Sequence, residues 1–536
     1  MNKLRVLARL ALLVTLAIGL VLMGGSQVTA SPPLNPTGAN LLANGDFDQS
    51  SFYWRPTNHF VGGMWYEWWV GGEMPEFIDG GHPHHSQCYP VPTTGSCESN
   101  YNHSQGYIRW GVPFVAGVYQ PVPVVACTTY RFTAYNRNDD WYYHPKVGID
   151  PTGWRPTELH GAPPDNCPPD SQTPCPNPSL DQNHPFPSTM IWSPEFEHTP
   201  LTWASQSITA EATAMTVTVW TYVAPDSNSG FSRSAYWDYT SLVQVPPANG
   251  KLIAEGTLPA ADGSITNVTT QTTALRATLG WKTGQPALTQ VLYHYVGDAN
   301  MPSPPPIANV VSAYEFSTAI GYTPSTDHQA RLPSLRPTSL YDYVILARKL
   351  VGNSCQTSVY TGRLSTTDML VPQGALPAPS SDITGLTILP FEHSAYVIWQ
   401  SAKPSYSQVL YHYAGPITPT ILPTLTQQVF LPIAAVASTQ DSTLNYEFRT
   451  VPITTFTTLH IIQLTGLQTD SVYSAVAVSA WTEGDADEVA VSSRADFRTA
   501  YTPTQASVPS RTQLAEQLQA CLSGGKALDA CVEKAK

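Results

Sequence analysis

"WKTGQPALTQVLYHY", residues 281–295, and "WQSAKPSYSQVLYHY", residues 399–413, share a tryptophan, a proline five positions on and an identical "QVLYHY" nine positions on. That is an internal repeat. Later landmarks agree: "YEF" at Tyr314 answers "YEF" at Tyr446, and Leu332, Leu335 and Tyr341 answer Leu464, Leu467 and Tyr473 with the same internal spacing. The tryptophan-to-"YEF" distance is 14 residues longer in the second copy, so the copies differ by one loop.

Each copy reads as short alternating strands between turn residues, roughly 120 residues long, and two copies are too few for a solenoid. The reading is two sandwiches in tandem, residues 251–369 and 382–500, separated by the stiff Pro-rich linker "VPQGALPAPSSD" at 371–382. Composition agrees across the chain: 49 prolines and only 12% charged residues suit strands and turns rather than long soluble helices. With 536 residues the chain exceeds one hydrophobic core, and an all-β, multidomain protein is expected. Only the end changes period. Residues 508–536 show helical spacing, a Gly-Gly break and a second short helix, a hairpin that Cys521 and Cys531 would staple, capping the last sandwich or docking on a partner.

The tryptophan, the "V-x-Y" strand and the "L-x-x-L-x5-Y" element resemble fibronectin type III domains. The resemblance implies that Tyr341 and Tyr473 form that fold's tyrosine corner, and implies no chemistry. The apolar loop "PITPTILPTLTQQVFLPIAAVAS" from Pro416 reads as a flap on its own sandwich or a docking surface for another protein.

Residues 38–246 carry "NLLANGDFD", "AGVYQPVPVVACTTYRFTAYNR", "KVGIDPTGW", "MIWSPEF", "ATAMTVTVWTYV" and "AYWDYTSLVQV" in that order. Together these resemble the carbohydrate-binding jelly-roll modules of secreted bacterial proteins, a galactose-binding-like β-sandwich. The resemblance implies a structural calcium between the first and last strands, on Asp46, Asp48 and Asp238. Tyr239 replaces the family's second closing aspartate, and Asp46 and Asp48 read equally as turn residues in an Asn-Gly context.

In this segment "GGMWYEWWVGG", residues 62–72, packs four aromatic residues into five positions. On a strand, Trp65, Glu67 and Trp69 point one way and Tyr66 and Trp68 the other, so both faces are aromatic. One face would pack the core and the other would meet a ligand. Sugars present C–H faces to flat rings and hydroxyls to fixed polar groups, so the candidate contacts are these five residues with Arg109, Trp110, Trp141, Tyr143 and Asp150. Many of the rings belong to the core in any case. His82, His84 and His85 have poor metal spacing and read as a solvated loop.

The first 30 residues carry Lys3, Arg5 and Arg9, an apolar run and small residues ending at Ala30, which reads as a cleaved export signal; an uncleaved anchor is the alternative. Its removal takes the formal net charge from -13 to -16, which disfavours nucleic acid as a partner. No transmembrane segment is expected in the mature chain. An exported chain can pair its eight cysteines, and local spacing suggests Cys88 with Cys97, Cys167 with Cys175 and Cys521 with Cys531; Cys127 and Cys355 would be left, in different domains. Nucleophile-elbow, zincin and P-loop motifs are absent. The expectation is a secreted or cell-surface, non-catalytic protein that binds polysaccharide. Its alternatives are an adhesion or spacer protein binding a cell-surface protein, and a glycan-active enzyme using Glu67, Glu73, Glu76 and Asp79.

Overall fold

The structure, a computed structural model, describes residues 38–47, 53–55, 59–61, 64–70, 76–79, 104–110, 114–138, 143–155, 179–180, 186–195, 203–224, 232–302, 305–371, 376–416, 446–484, 486–499 and 508–535. Among the described residues the chain is all-β apart from a one-turn 3-10 helix and two short helices at residues 511–523 and 528–535. Two compact units divide it: residues 1–250 with 321–324 and 348–356, and residues 251–320, 325–347 and 357–536. No described helix is long and apolar enough to cross a membrane.

The first unit is a sandwich. One sheet runs in the order Ile191–Trp192, Lys146–Asp150, Thr216–Tyr222, Ala116–Pro123, Tyr66–Val70, Ser179–Leu180; the other runs Ala204–Glu211, Thr129–Asn138, Ser232–Gln244, Gln105–Trp110, Glu76–Asp79. Neighbours are antiparallel except Tyr66–Val70 with Ser179–Leu180. Alternation explains the core: Val217, Val219 and Val223 face inward with Trp65, Trp69, Phe77, Tyr107, Phe132 and Trp237. Thr221, also inward, meets the Tyr107 hydroxyl at 3.4 Å and receives the amide of Val118. The opening segment is stitched down by Gln120, which donates to Ala43 O and Met64 O and accepts from Ala43 N. A buried amide satisfied three times over holds a segment that has no ladder of its own.

Cys127 and Cys355, expected to be left over in different domains, are bonded to each other. The reason is tertiary: residues 348–356 fold with the first unit, where Arg348 also donates to Glu211 at 2.6 and 2.9 Å. The two other local pairs, Cys88 with Cys97 and Cys167 with Cys175, lie outside the described residues, as do residues 1–30, His82, His84, His85 and most of the apolar loop from Pro416. Cys521 and Cys531 are bonded with Cα atoms 5.6 Å apart.

In the second unit one long strand organises each copy. Ser394–Gln400 pairs with Ile383–Pro390 and Ile453–Thr465, then the register breaks before Ser405 and Tyr406–Pro416 pairs with Ser471–Glu483 and Phe448–Arg449. Pro404, the proline of the repeat, stands at that break, where no ladder donor is needed. Ala277–Asp298 has the same role in the first copy, pairing with Ile265–Thr272, Gly321–Leu332, Ser339–Val351 and Phe316–Ser317. Both tyrosine corners are present: the Tyr341 hydroxyl accepts from Arg336 N and the Tyr473 hydroxyl from Gln468 N, each at 2.8 Å.

The identical "Q" of the repeat clamps the segment that leads into each copy. Gln290 accepts from Leu252 N at 2.7 Å and donates to Thr318 O; Gln408 accepts from Leu370 N at 3.1 Å and donates to Asp368 O and Thr450 O. Leu370 and Val371 thereby enter a cluster with Ala274, Leu275, Val476, Val478 and Val491, so the start of the Pro-rich segment is buried between the copies. Gln408→Ala leaves two carbonyls and an amide without partners and is expected to cost about 1–2 kcal/mol, read as a lower melting temperature of the second unit.

The terminal hairpin consists of helices Arg511–Ser523 and Leu528–Ala535. Ser510 and Gln513 form a capping box at the first helix. Leu514, Leu518, Leu528 and Val532 pack on Leu389, Tyr396, Ile398 and Ile461 of the second copy, and the Tyr396 hydroxyl donates to Pro509 O at 2.7 Å. Of the two expected roles, the hairpin takes that of a cap.

Candidate functional site

The strand Tyr66–Val70 divides its rings as its alternation requires. Trp65 and Trp69 are 4% exposed inside the sandwich, and Glu67 is buried. Tyr66 and Trp68 belong instead to an aromatic cluster with Tyr119, Trp154, Phe186, Trp192, Trp220 and Tyr222. This is the outer face of the six-stranded sheet.

Its geometry follows from register. Trp192 pairs with Gly148, Gly148 with Trp220, Trp220 with Tyr119 and Tyr119 with Tyr66, which makes one straight row across five strands. In the next row Trp68 pairs with Gly117, and Tyr222 with Lys146. The two glycines make room for the rings. A Cβ at Gly148 would stand 2.6 Å from the Trp192 ring, and one at Gly117 would stand 1.9 Å from Thr221 O and 2.7 Å from Trp68 Nε1.

The cluster has two tiers. Trp68, Tyr119 and Trp220 are fully packed, with Tyr119 and Trp220 stacked at 4.5 Å. Trp154 stacks on Trp220 at 5.7 Å, Phe186 meets Trp68, Trp192 and Trp220 edge-on, and Tyr66 stacks on Tyr119 at 5.3 Å; with Trp192 and Tyr222 these outer rings are half-buried. Two rings of the upper tier, Trp154 and Phe186, come from loops, and Asp150 fixes those loops. Its Oδ1 accepts from Thr152 N, Thr152 Oγ1 and Trp154 N at 2.8, 2.5 and 3.2 Å, and its Oδ2 accepts from Thr189 Oγ1 at 2.6 Å. Fully buried and engaged, Asp150 has no free edge for a ligand; it positions Trp154 and the Phe186 loop.

Burial pushes the phenols of Tyr119 and Tyr222 further above their usual value. Charge sits at the rim. Lys146 lies 5.3 Å over the Tyr222 ring and 2.7 Å from Glu195, which His144 meets at 3.0 Å, and Arg155 is exposed beside Trp154. The hydrogen bond from Lys146, ahead of its charge and that of His144, holds the Glu195 carboxyl below its usual range.

Three of the other expected contacts stand elsewhere. Arg109 and Trp110 belong to the opposite, five-stranded sheet, and Tyr143 is buried in the sandwich core. Trp141 and Glu73 lie outside the described residues, as do the side chains of Arg109, Trp110, Glu76 and Asp79. The rings that residue-by-residue reading missed are Tyr119, Phe186, Trp192, Trp220 and Tyr222. Trp220 and Tyr222 were within reach of the alternation in "TVTVWTY", whose valines face the core.

For the calcium expectation, Asp46 is exposed at a pocket of about 380 Å³ lined by Asn40, Asn44, Gly45, Tyr239 and Thr240. Asp238 is buried and accepts from Tyr239 N at 2.7 Å; Asp48 lies outside the described residues. Gly45 O already accepts from the amide and the hydroxyl of Thr240, and Thr240 O accepts from Asn40 Nδ2.

No protein-family model matches the chain, and no curated protein matches it. Likenesses to solved structures are weak in both identity and superposition, and no ligand is inferred from them. The chain is similar to TmCBM61, solved in complex with β-1,4-galactotriose, at 11% identity and a TM-score of 0.23 over 39% of this chain and 99% of that one. It is similar as well to a two-domain fibronectin type III segment of chicken tenascin, at 14% identity and a TM-score of 0.20 over 44% of this chain and 99% of that one.

Proposed function

We propose that the chain is an exported, non-catalytic polysaccharide-binding protein whose first unit takes a neutral glycan on the outer aromatic face of its six-stranded sheet. The observation that supports this is the upper tier: Tyr66, Trp154, Trp192 and Tyr222 stand half-exposed on a packed tier, with Trp154 held by the buried Asp150. Such rings offer flat apolar faces to sugar C–H groups, and Arg155 and the Lys146–Glu195 pair supply donors and acceptors at the rim for hydroxyls. Export is supported by the apolar leader and by the two described disulfides, which fit an oxidising compartment. Calcium belongs to the same proposal in reduced form. The Gly45 and Thr240 carbonyls accept protein hydrogen bonds, so an ion here would rest on the carboxylates of Asp46, Asp48 and Asp238.

The test titrates the full chain with a panel of neutral soluble polysaccharides and follows tryptophan fluorescence with and without a chelator. Trp154→Ala and Trp192→Ala are each expected to weaken binding by about tenfold or more, near 1.4 kcal/mol, while the fold survives because both rings are half-exposed. Binding that both variants leave untouched removes the platform. A chelator that changes neither binding nor the melting temperature removes the ion.

A further inference from the structure

Two polar groups under the outer aromatic face of the first unit are buried without hydrogen bonds. Thr218 Oγ1 and Trp220 Nε1 have no partner among the described residues, and both side chains are 0% exposed. Val217 and Val219 face the core, so Thr218 and Trp220 take successive outward positions of one strand. Their neighbours are satisfied: Trp68 Nε1 donates to Thr221 O at 3.2 Å, and both oxygens of Asp150 accept. Native folds carry few unpaired buried polar groups, because each one destabilises the fold. One short turn stands over both. Phe186 meets Trp220 with ring planes at 89°, while Tyr119 and Trp154 stack on Trp220. Thr189 bonds to Asp150, which is the cross-strand partner of Thr218. This turn is lightly held. Among the described residues, the bond from Thr189 Oγ1 to Asp150 Oδ2 is the hydrogen bond that ties Phe186–Met190 to the sheet, and Met190 N bonds back to Pro187 O. The facing turn is tied more firmly, by Thr152 N, Thr152 Oγ1 and Trp154 N to Asp150 Oδ1 and by Thr213 N to Pro151 O.

We propose that Thr218 Oγ1 and Trp220 Nε1 are hydroxyl contacts for one sugar residue of a neutral glycan, which reaches them by lifting the Phe186–Met190 turn from the face. The turn is the cover of this seat, and Trp154 is its fixed wall. The chemistry fits a neutral polyol. Thr218 offers a donor and an acceptor and Trp220 a donor, side by side on one strand, and hydroxyls answer both kinds. A wholly apolar ligand would leave them unpaired, and an anion would stand against the Asp150 carboxylate beside Thr218. Energy points the same way. Lifting the turn gives up the Phe186 ring contacts and one hydrogen bond, and the sugar supplies partners that a phenyl ring and a turn do not. A ligand shifts such an equilibrium only by what it gains in the open state, and here the gain is the pairing of the two orphaned groups. The inference rests on the reading that this face binds a glycan and deepens it by naming polar contacts and a cover.

The experiment titrates the full chain with the same panel of neutral polysaccharides, as wild type, Thr218→Val, Thr218→Ser and Thr189→Val, and records each melting temperature. Valine keeps the shape of threonine and deletes the hydroxyl, so Thr218→Val should melt at or above the wild-type temperature and bind about three- to tenfold more weakly. Thr218→Ser keeps the hydroxyl and should keep the affinity. Thr189→Val frees the turn at an exposed position and should bind about threefold more tightly, because more of the chains are open beforehand. A fold weakened at Thr218 would not lose affinity while holding its melting temperature. Thr218→Val that binds like the wild type overturns the proposal. Thr218→Val that melts lower or fails to fold overturns it as well, since the hydroxyl is then paired within the fold. Weaker binding by Thr189→Val overturns it too, because the turn is then a contact and not a cover. Each of these results leaves the platform standing as long as Trp154→Ala and Trp192→Ala weaken binding. A wild-type chain that binds nothing in the panel overturns both.

Discussion

Cys355→Ser is expected to lower the stability of the first unit by about 2–5 kcal/mol, the largest effect of any single substitution considered. The Cys127–Cys355 bond spans 228 residues, and in the chain-entropy account a loop of that length restrains the unfolded chain by about 5 kcal/mol. Residual structure in the unfolded state reduces the gain, which sets the lower end of the range. The native state contributes little to offset the loss, because Arg348 and Glu211 remain as a partly exposed ion pair. Calorimetry under non-reducing conditions should show the first unit's transition moving down. Cys531→Ser is the comparison: its bond spans 10 residues, and its loss should loosen the terminal hairpin while leaving the first unit's transition in place. A Cys355→Ser chain that melts like the wild type would show that residues 348–356 are held by their other contacts alone.

Mild acid is expected to destabilise the second unit, and one histidine accounts for most of the effect. His460 is 1% exposed and stacks on Trp399 at 4.9 Å. Its Nε2 meets Ser401 Oγ at 2.8 Å and Ser405 Oγ at 3.1 Å, while its buried Nδ1 has no partner. Burial holds its pKa down to about 4 from an ordinary 6.5. Between those values the unfolded chain binds a proton that the folded chain refuses, so stability falls as pH drops through 6.5 and the loss is complete near 4. At about 1.4 kcal/mol per unit the loss amounts to roughly 3 kcal/mol. The first copy repeats the arrangement with His328 on Trp281, but there both ring nitrogens meet threonine hydroxyls and the ring is less deeply buried. Burial lowers the His328 pKa in the same direction. Thermal melts from pH 7.5 to 4 should show the falling transition, and His460→Gln should flatten it. An unchanged slope in that variant would place the acid sensitivity elsewhere.

Much of the fold was legible from periodicity and self-similarity. The repeat located two sandwiches because homologous positions carry the same tasks: a core tryptophan, a glutamine that clamps the incoming chain and a tyrosine that closes a corner. Those tasks are mostly local or lie within one copy, so they leave a readable pattern. The alternation of "WYEWW" was legible for the same reason. A strand must send Trp65 and Trp69 one way and Tyr66 and Trp68 the other, whatever it packs against.

Part of the candidate site was not legible, for a different reason. Alternation assigns a ring to a face but says nothing of what covers that face. Trp68 points outward and is nevertheless fully buried, because Phe186, 118 positions along the chain, lies edge-on to it and Tyr222 packs beside it. Asp150 has the residue type of a ligand contact and acts as a loop clamp, because Thr152, Trp154 and Thr189 all turn donors toward it.

The sequence by itself determined the all-β class, the duplicated sandwich, the two faces of the aromatic strand, the local Cys521–Cys531 staple and the helical period of the end. Tertiary structure alone decided which rings reach solvent, which cysteine Cys127 joins, and that the hairpin's apolar stripe closes on Leu389, Tyr396 and Ile461 rather than remaining open. The physical reason is range. Hydrophobic period and turn chemistry act over a few residues and are written in consecutive letters, whereas burial, pairing and capping depend on partners up to hundreds of residues away whose approach no local pattern encodes.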